Sequence, residues 1–186
     1  MASKAIVPGS IESLAQQNGT SIAESFLTAD AIVIVDVSGS MDTPDSRGGR
    51  RRYDVACEEL AKLQASMPGR VAVVAFSSSV EFVPGGVPPF FGTGTDLAAA
   101  LTFVKVADEC VQFIVISDGQ PDNEQEALKI AKSFKSKINT VYVGPESDRH
   151  SADFLRRLAN ASGGVYTIAE KAQELSTKVQ AFLLSA

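Results

Sequence analysis

Apolar residues fall along this chain in two alternating patterns. Short runs at 31–37 (AIVIVDV), 71–76 (VAVVAF), 111–117 (VQFIVIS), 139–143 (NTVYV) and 164–168 (GVYTI) are rich in β-branched residues and predict strands. Between them, 53–66, 95–106, 123–136, 151–161 and 170–184 carry apolar residues at helical spacing. Ala127, Ile130, Ala131 and Phe134 recur at i, i+3, i+4 and i+7 and so line one face. Strand then helix, repeated, predicts an α/β domain, and continuous apolar strands are those covered by helices on both faces of a mainly parallel sheet. The run 79–83 (SVEFV) follows 71–76 after only Ser77 and Ser78, too short a link for a parallel crossover, and predicts an antiparallel edge strand. The expected fold is therefore Rossmann-like and doubly wound, with a mainly parallel six-stranded sheet and helices on both faces.

Ahead of the first strand, 10–28 reads as two helical pieces parted at Asn18-Gly19, the second opened by a Ser21-x-x-Glu24 capping box. Residues 1–30 are expected to form an N-terminal helical extension that packs Ile11, Leu14, Ile22, Phe26 and Leu27 on the domain of residues 31–186. The stretch 84–94 (PGGVPPFFGTG) is too rich in proline and glycine for regular structure. Its Phe90 and Phe91 either plug the edge of the core or stand on a binding rim.

With 186 residues, 45% hydrophobic and 21% charged, the chain can bury one substantial core, and no boundary divides it further. A net charge of −5 argues against binding a nucleic-acid backbone. Arg47, Arg50, Arg51 and Arg52 form a short basic cluster that reads as a solvated loop. No segment approaches the roughly 20 apolar residues of a membrane span, and the first residues lack the apolar run of a secretory signal. Cys57 and Cys110 are too far apart for a metal knuckle and read as reduced, half-buried thiols. The expectation is a soluble, cytoplasmic protein that binds neither nucleic acid nor membrane.

Two acids close predicted strands: Asp36, followed by Ser38 and Ser40, and Asp118, followed by Gly119. In a doubly wound sheet, ligands bind beyond the carboxyl ends of the strands. A third loop, Gly92-Thr93-Gly94-Thr95-Asp96-Leu97, opens the helix 95–106, where Thr95 serves either as helix cap or as an outward ligand. Read singly, Asp36 allows a nucleophile, a loop acid or a ligand, and the serines allow turn formers. If the three loops converge, Asp36, Ser38, Ser40, Thr95 and Asp118 supply two carboxylates and three hydroxyls, a hard-oxygen set suited to Mg²⁺ or Mn²⁺, with Ca²⁺ as a further candidate.

Asp36-Val-Ser-Gly-Ser40-Met41, Gly94-Thr95-Asp96-Leu97 and Ser117-Asp118-Gly119, in this order, resemble the metal-ion-dependent adhesion site of the von Willebrand factor type A family. The likeness runs from about Ala31 to Leu184 and includes Leu155-x-x-Leu158-Ala159 leading into Gly163-Gly164-Val165-Tyr166. The resemblance implies that Ser38, Ser40 and Thr95 contact a metal directly, and Asp36 and Asp118 directly or through water. Thr93 competes for the threonine role, but Thr95 matches the pattern. It further implies protein binding without catalysis, in which the under-neutralised metal recruits a partner's carboxylate. Family analogy suggests an intracellular adaptor for an AAA+ ATPase or a stress-response protein; a structural subunit of a larger assembly is the alternative. The family's last helix commonly moves on ligation, and here that helix is 170–184, with Leu175, Val179, Phe182 and Leu183 inward.

A Mg²⁺-dependent phosphatase using Asp36 as nucleophile needs a second acid two residues on, where Ser38 stands. His150 lies in a polar stretch and reads as a surface residue, and neither a dinucleotide nor a phosphate-loop motif is complete. Asp42, Asp45 and Asp96 read as caps or solvated acids, while Asp122 and Asn123 read as caps of the helix that follows. The loop 42–52, beside the site, is expected to favour an acidic partner through its arginines.

Overall fold

The computed structural model describes residues 6–169; the expected helix 170–184 lies outside them. Two short helices, α1 (Ile11–Asn18) and α2 (Ile22–Leu27), precede the first strand. Both halves of the Ser21/Glu24 capping box form. Among the described residues the sheet has six strands: β1 (Ala31–Asp36), β2 (Val71–Phe76), β3 (Val80–Phe82), β4 (Gln112–Ser117), β5 (Ile138–Tyr142) and β6 (Tyr166–Ile168). Their order is β3-β2-β1-β4-β5-β6, and all neighbours are parallel except β2 and β3. This is the mainly parallel sheet with one antiparallel edge strand that the apolar runs predict.

The helices that follow the strands are α3 (Arg52–Ser66), α4 (Leu97–Val104), α5 (Glu124–Ala131) and α6 (Arg149–Ala161). Side chains alternate across each strand, so β1 divides its residues between two cores. Val33 and Val35 pack with Val55, Ala56, Leu60 and Leu63 of α3 on one face. Ile32 and Ile34 pack with Leu101 of α4, Ala127 of α5 and Phe154 and Leu158 of α6 on the other. Burial on both faces is why the strand has no polar alternation.

From β1 the chain winds outward to β2 and β3, then returns to the opposite side of β1 through β4. The carboxyl ends of β1 and β4 therefore flank the point where successive connections diverge, the place where such sheets bind ligands.

The first helices dock only in part. Ile11 is buried and Phe26 meets Phe82 edge-on at 5.3 Å, but Leu27 is 83% exposed and Ile22 is also exposed. α2 has just six residues, so its apolar positions outnumber those that one contact face can cover. α5 ends at Ala131, short of the 136 expected, although Phe134 still reaches the core and meets Phe113 at 5.1 Å. Cys110, expected to be half-buried, is exposed in the turn before β4; Cys57 is half-buried.

Candidate metal centre

Asp36 ends β1 opposite Phe76 of β2, and Asp118 directly follows β4; both are fully buried. The Asp36 carboxylate is fixed from both sides, its Oδ1 accepting the Ser38 amide at 2.9 Å and its Oδ2 the Ser117 hydroxyl at 2.7 Å. Ser117 in turn accepts the Gly119 amide at 3.0 Å, which ties the two strand ends together. Ser38 is buried and Ser40 half-buried, and their hydroxyl oxygens lie 3.2 Å apart.

The threonine loop is stitched to the segments that follow β1 and β2. Gly39 donates to the Thr93 carbonyl (2.9 Å), Gly92 donates to the Val37 carbonyl (3.1 Å), and Asp96 donates to the Ser77 carbonyl (2.8 Å). Asp122 does not cap α5, which Asn123 does. Asp122 instead reaches back so that its carboxylate accepts the Thr95 amide at 3.0 Å while its own amide donates to the Thr95 carbonyl. Asp96 caps α4 by accepting the Ala99 amide at 2.9 Å, which leaves the Thr95 hydroxyl outside the cap. Asp96→Ala is accordingly expected to cost about 1 kcal/mol in chemical denaturation, and Thr95→Val to leave the helix cap intact. The reverse ranking would make Thr95 the cap.

The three predicted loops thus converge with Asp36, Ser38, Ser40, Thr95 and Asp118 among them. Burial and the neighbouring Asp118 charge push the Asp36 carboxyl up to about 7, against the hydrogen bonds from Ser38 and Ser117. Two carboxylates and neighbouring hydroxyls at adjacent strand ends form a donor set that fits a hard divalent cation. Among the described residues no group of three or more His, Cys, Asp or Glu could hold a metal, so any ion here would depend on hydroxyl oxygens as well as the two acids.

Arg52, expected in a solvated loop, is buried instead. It opens α3 with its side chain 7% exposed, donating from Nη1 to Asp118 Oδ2 at 2.7 Å and from Nε and Nη2 to the Asp45 carboxylate at 2.7 and 2.8 Å. The guanidinium holds Asp45 below the usual carboxylate range. A signal was present, since the buried stripe Val55, Ala56, Glu59, Leu60 and Leu63, extended one turn back, lands on Arg52. The other arginines of the expected solvated cluster are also engaged within the chain: Arg47 with Glu58 and Glu59, Arg50 with Glu58, and Arg51 with Asp42 and Asp54. Six acids answer four guanidiniums, so the arginines are charge-balanced within the chain instead of forming a free basic loop.

Phe90 and Phe91 stand on the rim, 39% and 41% exposed, on the segment hydrogen-bonded to Val37. Phe90 meets Tyr53 edge-on at 5.3 Å, and the Tyr53 hydroxyl donates to the Pro88 carbonyl, so the rim is braced by α3. His150 is exposed and pairs with Glu124.

No family model and no curated protein matches the sequence. Solved structures do resemble it. An aerotolerance-related membrane protein from Bacteroides fragilis superposes with a TM-score of 0.67 at 16% identity, over 85% of this chain and 100% of that one. The manganese-loaded TRAP protein of Plasmodium vivax gives 0.58 at 18% identity, over 79% and 71%. A von Willebrand factor type A protein from Catenulispora acidiphila gives 0.54 at 18% identity, over 80% of this chain and 41% of that one. Such identities carry the architecture without the chemistry: the chain has the von Willebrand factor type A fold.

Proposed function

We propose that this protein is a divalent-metal-dependent protein-binding module. The observation that carries the reading is the meeting of Asp36 and Asp118 at the divergence point of the sheet, beside hydroxyls of Ser38 and Ser40 that lie 3.2 Å apart. Ser38, Ser40 and Thr95 would hold the ion directly, and Asp36 and Asp118 directly or through water. Mg²⁺ or Mn²⁺ would supply an electrophilic centre whose neutral hydroxyl ligands leave it short of negative charge. A carboxylate from a partner protein would complete it, and exposed Phe90 and Phe91 would offer that partner apolar contact at the rim. The manganese-loaded TRAP protein, of the same fold, supports the choice of ion.

Binding, rather than catalysis, is supported by the way the acids are engaged. Both Asp36 oxygens accept hydrogen bonds from the chain, and the single histidine is exposed beside Glu124. The two unpaired cysteines suit a reducing compartment, so we place the module in the cytoplasm as an adaptor, with an AAA+ ATPase or a stress-response protein as the class of partner. No helix among the described residues is long and apolar enough to cross a membrane.

A second reading, a structural subunit of a larger assembly, is favoured by an apolar groove of about 700 Å³ between α2 and α4, lined by Phe26, Leu27, Phe103 and Val106. Isothermal titration with Mg²⁺ tests the first reading, with saturable binding expected in the parent and lost in Asp36→Ala and Asp118→Ala. Equal heats in all three would overturn it. Recovery of one partner set from host extract with and without chelator would favour the subunit.

A further inference from the structure

We infer that Arg52 is a built-in counter-ion that competes with the divalent cation for Asp118, and that Asp45 receives its guanidinium when the cation enters. The inference rests on the metal reading above and adds to it a residue that sets the affinity.

A guanidinium cannot shed its charge in a protein. Arg52 places that charge on Asp118, one of the two acids that would face the ion, through a 2.7 Å contact between side chains 7% and 0% exposed. In the metal-free protein this contact is useful. Asp36 and Asp118 are buried and repel one another, and Arg52 neutralises one of them. Once a divalent cation engages Asp118, the same guanidinium becomes a like charge beside it, in a site shielded from solvent.

Removing Arg52 from Asp118 with nothing to receive it would strand a buried charge, which is costly. Asp45 prevents this. It already accepts two hydrogen bonds from Arg52, at 2.7 and 2.8 Å, so releasing Asp118 costs the guanidinium one contact of three. Asp45 is also more exposed than Asp118, with 36% of its side chain accessible, and it stands on the loop between β1 and α3. Occupancy of the site is thereby linked to the charge balance of its rim. A site held shut by its own arginine answers to a divalent ion at sufficient concentration and resists ions of lower charge.

The test is Mn²⁺ titration, with the free ion read by electron paramagnetic resonance, on the parent, Arg52→Met, Asp45→Asn and Asp42→Asn. Arg52→Met is expected to bind Mn²⁺ at least about tenfold more tightly, the effect of deleting a positive charge close to a divalent one. Its melting temperature should fall without metal and rise further with metal than the parent's does. Asp45→Asn should bind about three- to tenfold more weakly, because Arg52 is left with Asp118 alone. Asp42→Asn, which removes the exposed partner of Arg51, should stay within about twofold of the parent. Equal losses in Asp42→Asn and Asp45→Asn would mark a diffuse charge effect and overturn the exchange.

An affinity in Arg52→Met at or below the parent's, with the near-ultraviolet spectrum preserved, overturns the inference. If Arg52→Met does not fold, an unchanged or raised affinity in Asp45→Asn does the same. Saturable binding in the parent that Asp118→Ala abolishes and Arg52→Met leaves unaltered removes the role of Arg52 and keeps the metal site. No saturable binding in the parent or in Arg52→Met removes both.

Discussion

Asp36→Asn is expected to make the metal-free protein more stable at pH 8 by an amount on the order of 4 kcal/mol, while abolishing saturable Mg²⁺ binding. The native Asp36 carboxyl is raised from 3.8 to about 7, first by burial and then by the Asp118 charge. Below its unfolded pKa, near 4, the group is protonated in both states and its contribution to stability is fully present. Between pH 4 and 7 the unfolded chain ionises while the native site keeps its proton, so stability falls as pH rises, and above 7 the loss is complete. Asparagine keeps an oxygen for the Ser38 amide, and its own amide can replace the bond donated by the Ser117 hydroxyl with one of opposite direction, so the side chain stays engaged while the charge is lost.

Glu58, held down to about 2 by Lys62 and Arg50, acts in the opposite sense, and its contribution is lost only as the solution becomes more acid than pH 4. The window from 4 to 7 therefore isolates Asp36. Urea denaturation of parent and variant across pH 4 to 8 measures it, and parallel curves would refute the assignment. Saturating Mg²⁺ should flatten the parent's curve, since a ligand that binds the ionised form offsets its burial.

Gly119→Ala should destabilise the protein by about 3 kcal/mol or more, and Gly163→Ala by only about 1 kcal/mol. The two glycines have nearly the same backbone, φ 76° and 75°, a left-handed conformation that costs any L side chain a similar amount. Their surroundings differ. A Cβ on Gly119 would stand 2.3 Å from the Ser151 carbonyl oxygen, whereas one on Gly163 would meet nothing within 4 Å. The difference between the variants therefore isolates the close approach of the Asp118 turn to the start of α6. Because Ser151 follows the Asp148 cap of that helix, relief of the clash must move either the helix or the turn that carries Asp118. Metal affinity should fall in Gly119→Ala and hold in Gly163→Ala. Equal costs within about 0.5 kcal/mol would show that backbone conformation alone explains both.

Much of this architecture was legible because a strand buried on both faces must be apolar at every position. Runs such as 31–37 and 71–76 place β1 and β2 within a residue of where they lie. The antiparallel hairpin followed from chain length, since two serines cannot cross a sheet. Helix ends were less visible, because their last turns depend on local packing: α5 stops at Ala131 although Phe134 keeps the helical spacing. The convergence of Asp36, Ser38, Ser40, Thr95 and Asp118 was read as a pattern, and the folded chain brings their loops together.

What the sequence determined by itself is the order of strands and helices and the identity of the oxygen-bearing residues at the strand ends, because both depend on spacing along one chain. What only the tertiary structure decided is which charge faces which. Arg52 and Arg51 are neighbours in a basic run, yet Arg51 is the extended residue ahead of α3 and Arg52 its first helical one, and the change of backbone sends Arg52 to buried Asp118 and Arg51 to Asp42 and Asp54 nearer the surface. Asp122 likewise holds the Thr95 loop instead of the helix that follows it. The Arg52–Asp118 and Asp122–Thr95 pairings join residues 66 and 27 positions apart, and they form because burial makes an unpaired charge or amide costly.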